Sequence, residues 1–368
     1  MSSPKKKAVG LLPAEHTHYL DHLSVICYLM DIPLLCLNES DIPLAKKLYP
    51  EIRTLSQEYL EFNPEFLIAN YDVLFSSDVW SRELFQHAYR DLERKYNKTL
   101  RKIYCPHGFS DKGFYLKKCV DEDITLIYGQ NMLDLLEHHR VLQELPTHVI
   151  TGNYRYTYFN KQRAFYEKLM QDEILSRFDR QRPIILYAPT WSDPEDSGTF
   201  CEVALALVEQ LPKDYNMIVK PHPLIENNDP GFYYQLMGKC EGKTNIHFLK
   251  DFPLIYPLLA HTDIYIGDMS SIGYDFLIFD KPMFFLNKNK RDIESDRGLY
   301  LYRCGVEILP DHFAQIYPII EKELKNDHAN FSHIRKATYD YTFGPEKPFS
   351  QIKSEIIAAY ETPRKYML

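Results

Sequence analysis

What most constrains this chain is an alternation that runs almost its whole length. Short apolar runs of strand length are each followed by a longer segment whose apolar residues recur three and four apart. Ala8–Leu12 reads as a strand, and Leu20, Leu23, Cys27 and Met30 then place one apolar stripe on a helix. Pro33–Leu37, Tyr71–Phe75, Ile103–Cys105, Thr125–Tyr128 and His148–Thr151 continue the strand series, with helices predicted from about Trp80 to Tyr96 and over Met132–His138. From Ile184 the pattern is cleaner: strands over Ile184–Ala188, Met217–Lys220, Ile246–Leu249, Ile264–Gly267 and Met283–Leu286 alternate with helices. Such alternation predicts α/β architecture, with parallel, doubly wound sheets covered on both faces. A length of 368 residues suits two such domains. The charged helical stretch Asn160–Gln181, closed by Pro183, reads as their linker. The expected division is a first domain over residues 1–155, a linker over 156–182, a second domain over 183–345, and a tail over 346–368. In that tail Ser350–Glu361 is helical and folds back on the first domain.

Composition narrows the class of function. With 45% hydrophobic and 26% charged residues, the chain is neither disordered nor collagen-like, and no apolar run reaches the ~18 residues of a transmembrane helix. The 43 basic and 51 acidic residues leave a net charge of -8, so no nucleic-acid partner is expected, although a local cationic pocket is compatible with it. Seven scattered cysteines without CxxC spacing, and no apolar run after the basic start, predict reduced thiols and a cytoplasmic address. Contact with the inner face of a membrane stays open. Asp268, Asp275 and Asp280 occur singly rather than as a carboxylate cluster, so no metal is expected. The absence of GxxxxGK[ST], GxGxxG, HExxH and GxSxG disfavours nucleotide-hydrolysing and dinucleotide-dependent chemistry, and no cofactor is expected.

Ligands of doubly wound sheets bind where strands end, so the chemistry is sought in the loops that follow strands. After Ile103–Cys105 comes Pro106-His107-Gly108, with Lys112 five positions past the histidine; an imidazole on a tight turn can accept a proton near neutral pH. After Ile184–Ala188 comes the remainder of YAPTW, which includes Thr190. The second strand of that half ends in KPHP, where Lys220 and His222, two apart, point the same way and suit a phosphate. Asp268-Met269-Ser270-Ser271 stands at a strand–helix junction, with Ser270 as N-cap and amide groups offered to an anion. Arg297-Gly298 lies in a later loop from which a guanidinium can clamp a phosphate.

In this order, PHG with its lysine, YAPTW, KPHP, DMSSIGYDFL followed by DKPMFF, and DRGLY resemble the CDP-glycerol glycerophosphotransferase family of teichoic-acid primases and polymerases, over about Ile103–Tyr302. The resemblance implies the GT-B fold, two Rossmann-like domains facing each other across a cleft. It also implies transfer of an alditol phosphate from CDP-glycerol, or a similar CDP-alditol, to a hydroxyl of a glycan or lipid-linked acceptor, with release of CMP. Residue by residue, His107 is similar to the family's catalytic histidine. Lys220, His222, Ser270 and Ser271 are similar to its pyrophosphate-binding residues, and Arg297 falls in its RG motif. His222 is counted with His107 as catalytic; Lys112, Thr190 and Asp268 are assigned to substrate or nucleotide binding. Three positions depart from the family pattern: Pro106 stands where Trp is usual, Met269 where DYSS has its aromatic, and Thr157 where the GxPRxD turn has Asp.

Acceptor, alditol and oligomeric state stay open at this point. Little room for an acceptor-binding region favours single-unit transfer. Two alternatives remain: a sugar-nucleotide glycosyltransferase or UDP-sugar 2-epimerase of the same fold, and an inactive nucleotide- or phosphate-binding module. His16 and His18, at the end of the first strand, are next in line should His107 not be the base.

Overall fold

The computed structural model describes residues 6–14, 16–57, 62–79 and 86–364. The chain forms two compact units: residues 1–107, 115–158 and 343–368 make up unit 1, and residues 108–114 and 159–342 make up unit 2. Each is built on its own parallel sheet.

In unit 1 the strands are β1 (Ala8–Leu12), β2 (Leu34–Cys36), β3 (Thr54–Ser56), β4 (Val73–Ser76), β5 (Arg101–Tyr104), β6 (Ile124–Ile127) and β7 (His148–Ile150), ordered β3-β2-β1-β4-β5-β6-β7. In unit 2 they are β8 (Ile184–Ala188), β9 (Asn216–Val219), β10 (Ile246–Phe248), β11 (Ile264–Gly267), β12 (Met283–Leu286) and β13 (Val306–Ile308), ordered β10-β9-β8-β11-β12-β13. All pairings are parallel. In both sheets the order reverses beside the first strand, the doubly wound arrangement that opens a ligand crevice at that point.

The strand interiors show why these residues sit here. β4, β8, β9, β11 and β12 are buried at every position, as strands covered on both faces must be. Residues 8–12, 184–188, 264–267 and 283–286 carry strands as expected. β3 and β13 were not anticipated. Each is a three-residue edge strand carrying polar residues, Thr54 and Ser56 in one and Glu307 in the other, so neither makes an apolar run. Of the helix expected from about Trp80, the described part runs Gln86–Tyr96, and its start lies outside the described residues.

Two segments divide differently from the composition-based boundaries. Residues 156–182 do not form a loose connection. They carry the helices Tyr154–Lys161 and Arg163–Glu173, and Tyr166, Leu169 and Met170 are buried within unit 2. Residues 108–114 leave unit 1 and pack in unit 2. The last helix, Phe349–Glu361, lies in unit 1, buries Ile352 and Ile356, and is reached through Lys347, whose ammonium donates to the Ile150 carbonyl at 2.7 Å. No helix among the described residues is long and apolar enough to cross a membrane.

An ion cluster around one buried arginine fastens the helix Asp327–Phe343, which belongs to unit 2 up to Thr342. Arg335 is fully buried; its guanidinium donates to Asp327 Oδ1 and Oδ2 at 3.1 and 2.8 Å and to Asp280 Oδ1 at 2.7 Å. Removing one partner of such a cluster strands charge that burial has already desolvated. Arg335→Ala is therefore expected to destabilise unit 2 by about 3–5 kcal/mol, read from urea unfolding.

Candidate functional site

The polar loops of unit 2 gather at the carboxyl ends of β8, β9 and β11, on either side of its strand-order reversal. Lys220 follows β9 directly. It is nine-tenths buried, and its backbone N–H donates to the Tyr187 carbonyl of β8 at 2.8 Å. Two residues on, the His222 backbone N–H reaches the Pro189 carbonyl, which holds the KPHP and YAPTW turns together. His222 Nδ1 accepts the Leu224 backbone N–H at 3.2 Å. In a neutral ring that bond leaves the proton on Nε2. The Trp191 ring lies 6.4 Å from it, centroid to centroid.

Ser270 caps the helix Ser271–Phe276: its extended backbone turns the side chain back to accept the Ile272 N–H at 3.4 Å. The helix is only six residues long, so its local amides rather than a long macrodipole are what it offers an anion. Asp268, two residues earlier, points inward. It is fully buried, accepting from the Thr190 N–H at 2.7 Å on Oδ1, and from the Thr199 N–H at 3.0 Å and hydroxyl at 2.8 Å on Oδ2. Burial raises its carboxyl pKa to about 6, against the lowering effect of those donors and of Lys112.

Lys112 and Arg297 are also engaged within unit 2. The Lys112 ammonium is 7% exposed and sits 2.6 Å from Thr190 Oγ1 and 2.7 Å from Asp193 Oδ2. Thr190, assigned to the substrate, thus accepts from Lys112 while its N–H donates to Asp268. The Arg297 guanidinium bonds Asp111 Oδ1 at 2.5 Å and lies over the Tyr300 ring at 5.0 Å. Arg291 makes a two-point bond to Asp296, at 2.6 and 2.9 Å, and its Nη1 also lies 3.1 Å from the Met269 sulfur. Asp111, Asp193, Tyr274 and Arg291 were not among the expected residues. The adjacent Asp111-Lys112 pair just past PHG was the available signal.

His107 lies in unit 1, at the carboxyl end of β5, and Gly108 follows it with φ +102°, a backbone conformation that explains glycine there. The Tyr128 hydroxyl fixes this turn by donating to the Pro106 carbonyl at 2.9 Å. Three further histidines surround His107 or its neighbours. His18 and His22 lie 6.0 and 6.4 Å from it, His16 lies 5.7 Å from His18, and the Tyr19 ring lies 4.7 Å from His107. His22 is held well below the usual imidazole range by burial first, then by Arg155 and the neighbouring histidines, so it is a neutral ring. Behind it, Arg155 forms a buried pair with Asp21 at 2.6 Å, and the Tyr49 hydroxyl donates to the other Asp21 oxygen at 2.7 Å. Thr157 donates to Glu346 at 3.0 Å. Among the described residues, no three His, Cys, Asp or Glu side chains converge as metal ligands.

With that geometry in place, residues 148–338 match the family model for CDP-glycerol:poly(glycerophosphate) glycerophosphotransferase. The chain belongs to this family. The matched span includes every unit 2 loop after β8 but begins beyond His107 and Lys112. Among curated relatives, the teichoic acid glycerol-phosphate primase of Bacillus subtilis (strain 168) is 32% identical over 125 residues, 33% of this chain and 29% of that protein. The teichoic acid poly(ribitol-phosphate) polymerase of Bacillus spizizenii is 25% identical over 192 residues, 50% of this chain and 29% of that protein. The chain thus spans under a third of the length of these two relatives. The solved structure of the wall teichoic acid polymerase TagF has a TM-score of 0.65 at 15% identity, covering 96% of this chain and 89% of that one. A UDP-GlcNAc 2-epimerase from Neisseria meningitidis gives 0.55 at 9% identity, covering 97% and 100%. At such identities the likeness concerns the fold.

The Asp268 carboxyl generates a pH test. Its folded pKa of about 6 lies above the ordinary 3.8, so the protonated form favours folding. That contribution is complete below about pH 4 and is lost as pH rises through about 6. At ~1.4 kcal/mol per unit, wild type should gain about 2 kcal/mol relative to Asp268→Asn between about pH 7 and pH 4 in urea titrations. Parallel pH profiles of the two proteins would contradict the shift.

Proposed function

We propose that the chain transfers glycerol phosphate, or a similar alditol phosphate, from a CDP-alditol to an acceptor hydroxyl with release of CMP. The observation that carries this reading is family membership over residues 148–338, the span that holds Lys220, His222, Ser270, Ser271 and Arg297 at one sheet edge of unit 2. In the reaction the acceptor oxygen attacks the phosphorus that carries the alditol. A new P–O bond forms as the bond to the bridging oxygen breaks, and CMP departs with that oxygen. Charge develops on the leaving phosphate. Lys220, the Nε2–H of His222 and the amides at Ser270-Ser271 are of the kind that stabilises it. His107 is the proposed general base for the acceptor proton. A glycan or lipid-linked acceptor and a cytoplasmic address complete the reading.

Incubation with CDP-glycerol and a hydroxyl acceptor, with detection of released CMP, tests it directly. Release of nucleotide from a UDP-sugar instead would favour a sugar-nucleotide enzyme, and binding without turnover an inactive module. Lys220→Ala is expected to weaken CDP-glycerol binding by ~1.5–3 kcal/mol by calorimetry, the worth of a hydrogen bond to a charged group. His107→Ala should leave binding nearly unchanged and lower turnover by ~10²–10⁴-fold. Near-normal turnover in that variant would shift the search for the base to His16 and His18.

A further inference from the structure

The seven residues Gly108–Phe114 belong to unit 2, although His107 before them and Tyr115 after them belong to unit 1. Within unit 2 this segment is bonded to three of the loops assigned to the donor. Phe109 packs edge-on against Tyr274 at 4.6 Å. Asp111, 6% exposed, accepts from the Tyr274 hydroxyl at 2.7 and 2.8 Å, from Arg297 at 2.5 Å and from the Leu301 N–H at 3.2 Å. Lys112 holds Thr190 and Asp193, and the Gly113 N–H donates to Glu195 at 2.9 Å. The segment therefore reaches the turn after β8, the helix that begins at Ser271, and the loop that carries Arg297.

Asp111 is the centre of that attachment. Its two oxygens meet four donor contacts from three side-chain or backbone groups, so the carboxylate has one orientation and imposes one on its partners. Tyr274 is on the helix whose first turn carries Ser271, and Arg297 is the guanidinium proposed to meet the donor phosphate. We propose that Asp111 is a positioning residue for the transfer reaction, acting through Arg297. Its carboxylate holds the guanidinium in the orientation that a donor phosphate meets, and ties it to a segment that begins one residue after His107. The inference rests on the transferase reading above, because it is that reading which gives Arg297 a phosphate to bind.

A double-mutant cycle separates this role from plain structural support. CDP-glycerol binding by calorimetry and kcat and KM for CMP release are measured for wild type, Asp111→Asn, Arg297→Ala and the double variant. Asp111→Asn is expected to weaken donor binding about 10- to 100-fold and to lower kcat/KM by at least as much, the range for a charged hydrogen bond. In the Arg297→Ala background the same change should add less than about twofold, since the group it acts through is gone. Should Asp111→Asn fold poorly, Tyr274→Phe removes one donor without stranding a charge. It should give a smaller loss that likewise vanishes in the Arg297→Ala background. Unchanged binding and turnover in Asp111→Asn, or losses that multiply independently, overturn the proposal. A wild type that binds CDP-glycerol but releases no CMP overturns the transferase reading alone, and the binding cycle still decides the role of Asp111. A wild type that does not bind CDP-glycerol overturns both.

Discussion

A fully buried carboxylate at the strand-order reversal of unit 2 sets terms that its neighbours must meet. Asp268 follows β11 directly, next to β8, where desolvation alone would force it neutral or out. It stays because the turn after β8 supplies the Thr190 N–H and the chain entering the helix Phe200–Glu209 supplies the Thr199 N–H and hydroxyl. Those donors reach it only in one arrangement of the loops. The same arrangement places Thr190 Oγ1 where Lys112 can donate to it, and Lys112 in turn neutralises Asp193, whose other contacts close the turn at Ser197. One buried charge thus organises the turn after β8, the turn after β11 and the inserted segment 108–114.

That organisation divides the cations of the site into two kinds. Lys112 and Arg291 are paired with Asp193 and Asp296, and Arg297 with Asp111, which fixes where each points. Lys220 and His222 are held differently. Their main-chain N–H groups donate to β8 and to Pro189, and the Leu224 amide donates to the His222 ring.

The legible parts of the chain were those written in local periodicity. β8, β11 and β12 coincide with unbroken apolar runs because both faces of those strands are covered, and Ser270 reads as an N-cap from its place before an apolar helix. β3 and β13 escaped because a three-residue edge strand needs no apolar run. The charge pairs escaped for a different reason. Arg297 and Asp111 lie 186 residues apart, and nothing in the local pattern of either loop names its partner. The inward turn of Asp268 is of the same kind: a lone aspartate before two serines reads as a ligand contact until its donors, from residues 190 and 199, are known.

Unit 1 repeats the strand reversal of unit 2 but furnishes it with imidazole instead of ammonium and guanidinium. His16 and His18 follow β1, His22 stands on the first turns of Leu20–Met30, and His107 follows β5. The Arg155 guanidinium that lies behind them is committed to Asp21, and its proximity together with burial keeps His22 uncharged. The two reversals therefore carry different side chains: clustered imidazoles in unit 1, and basic groups with hydroxyls and main-chain amides in unit 2.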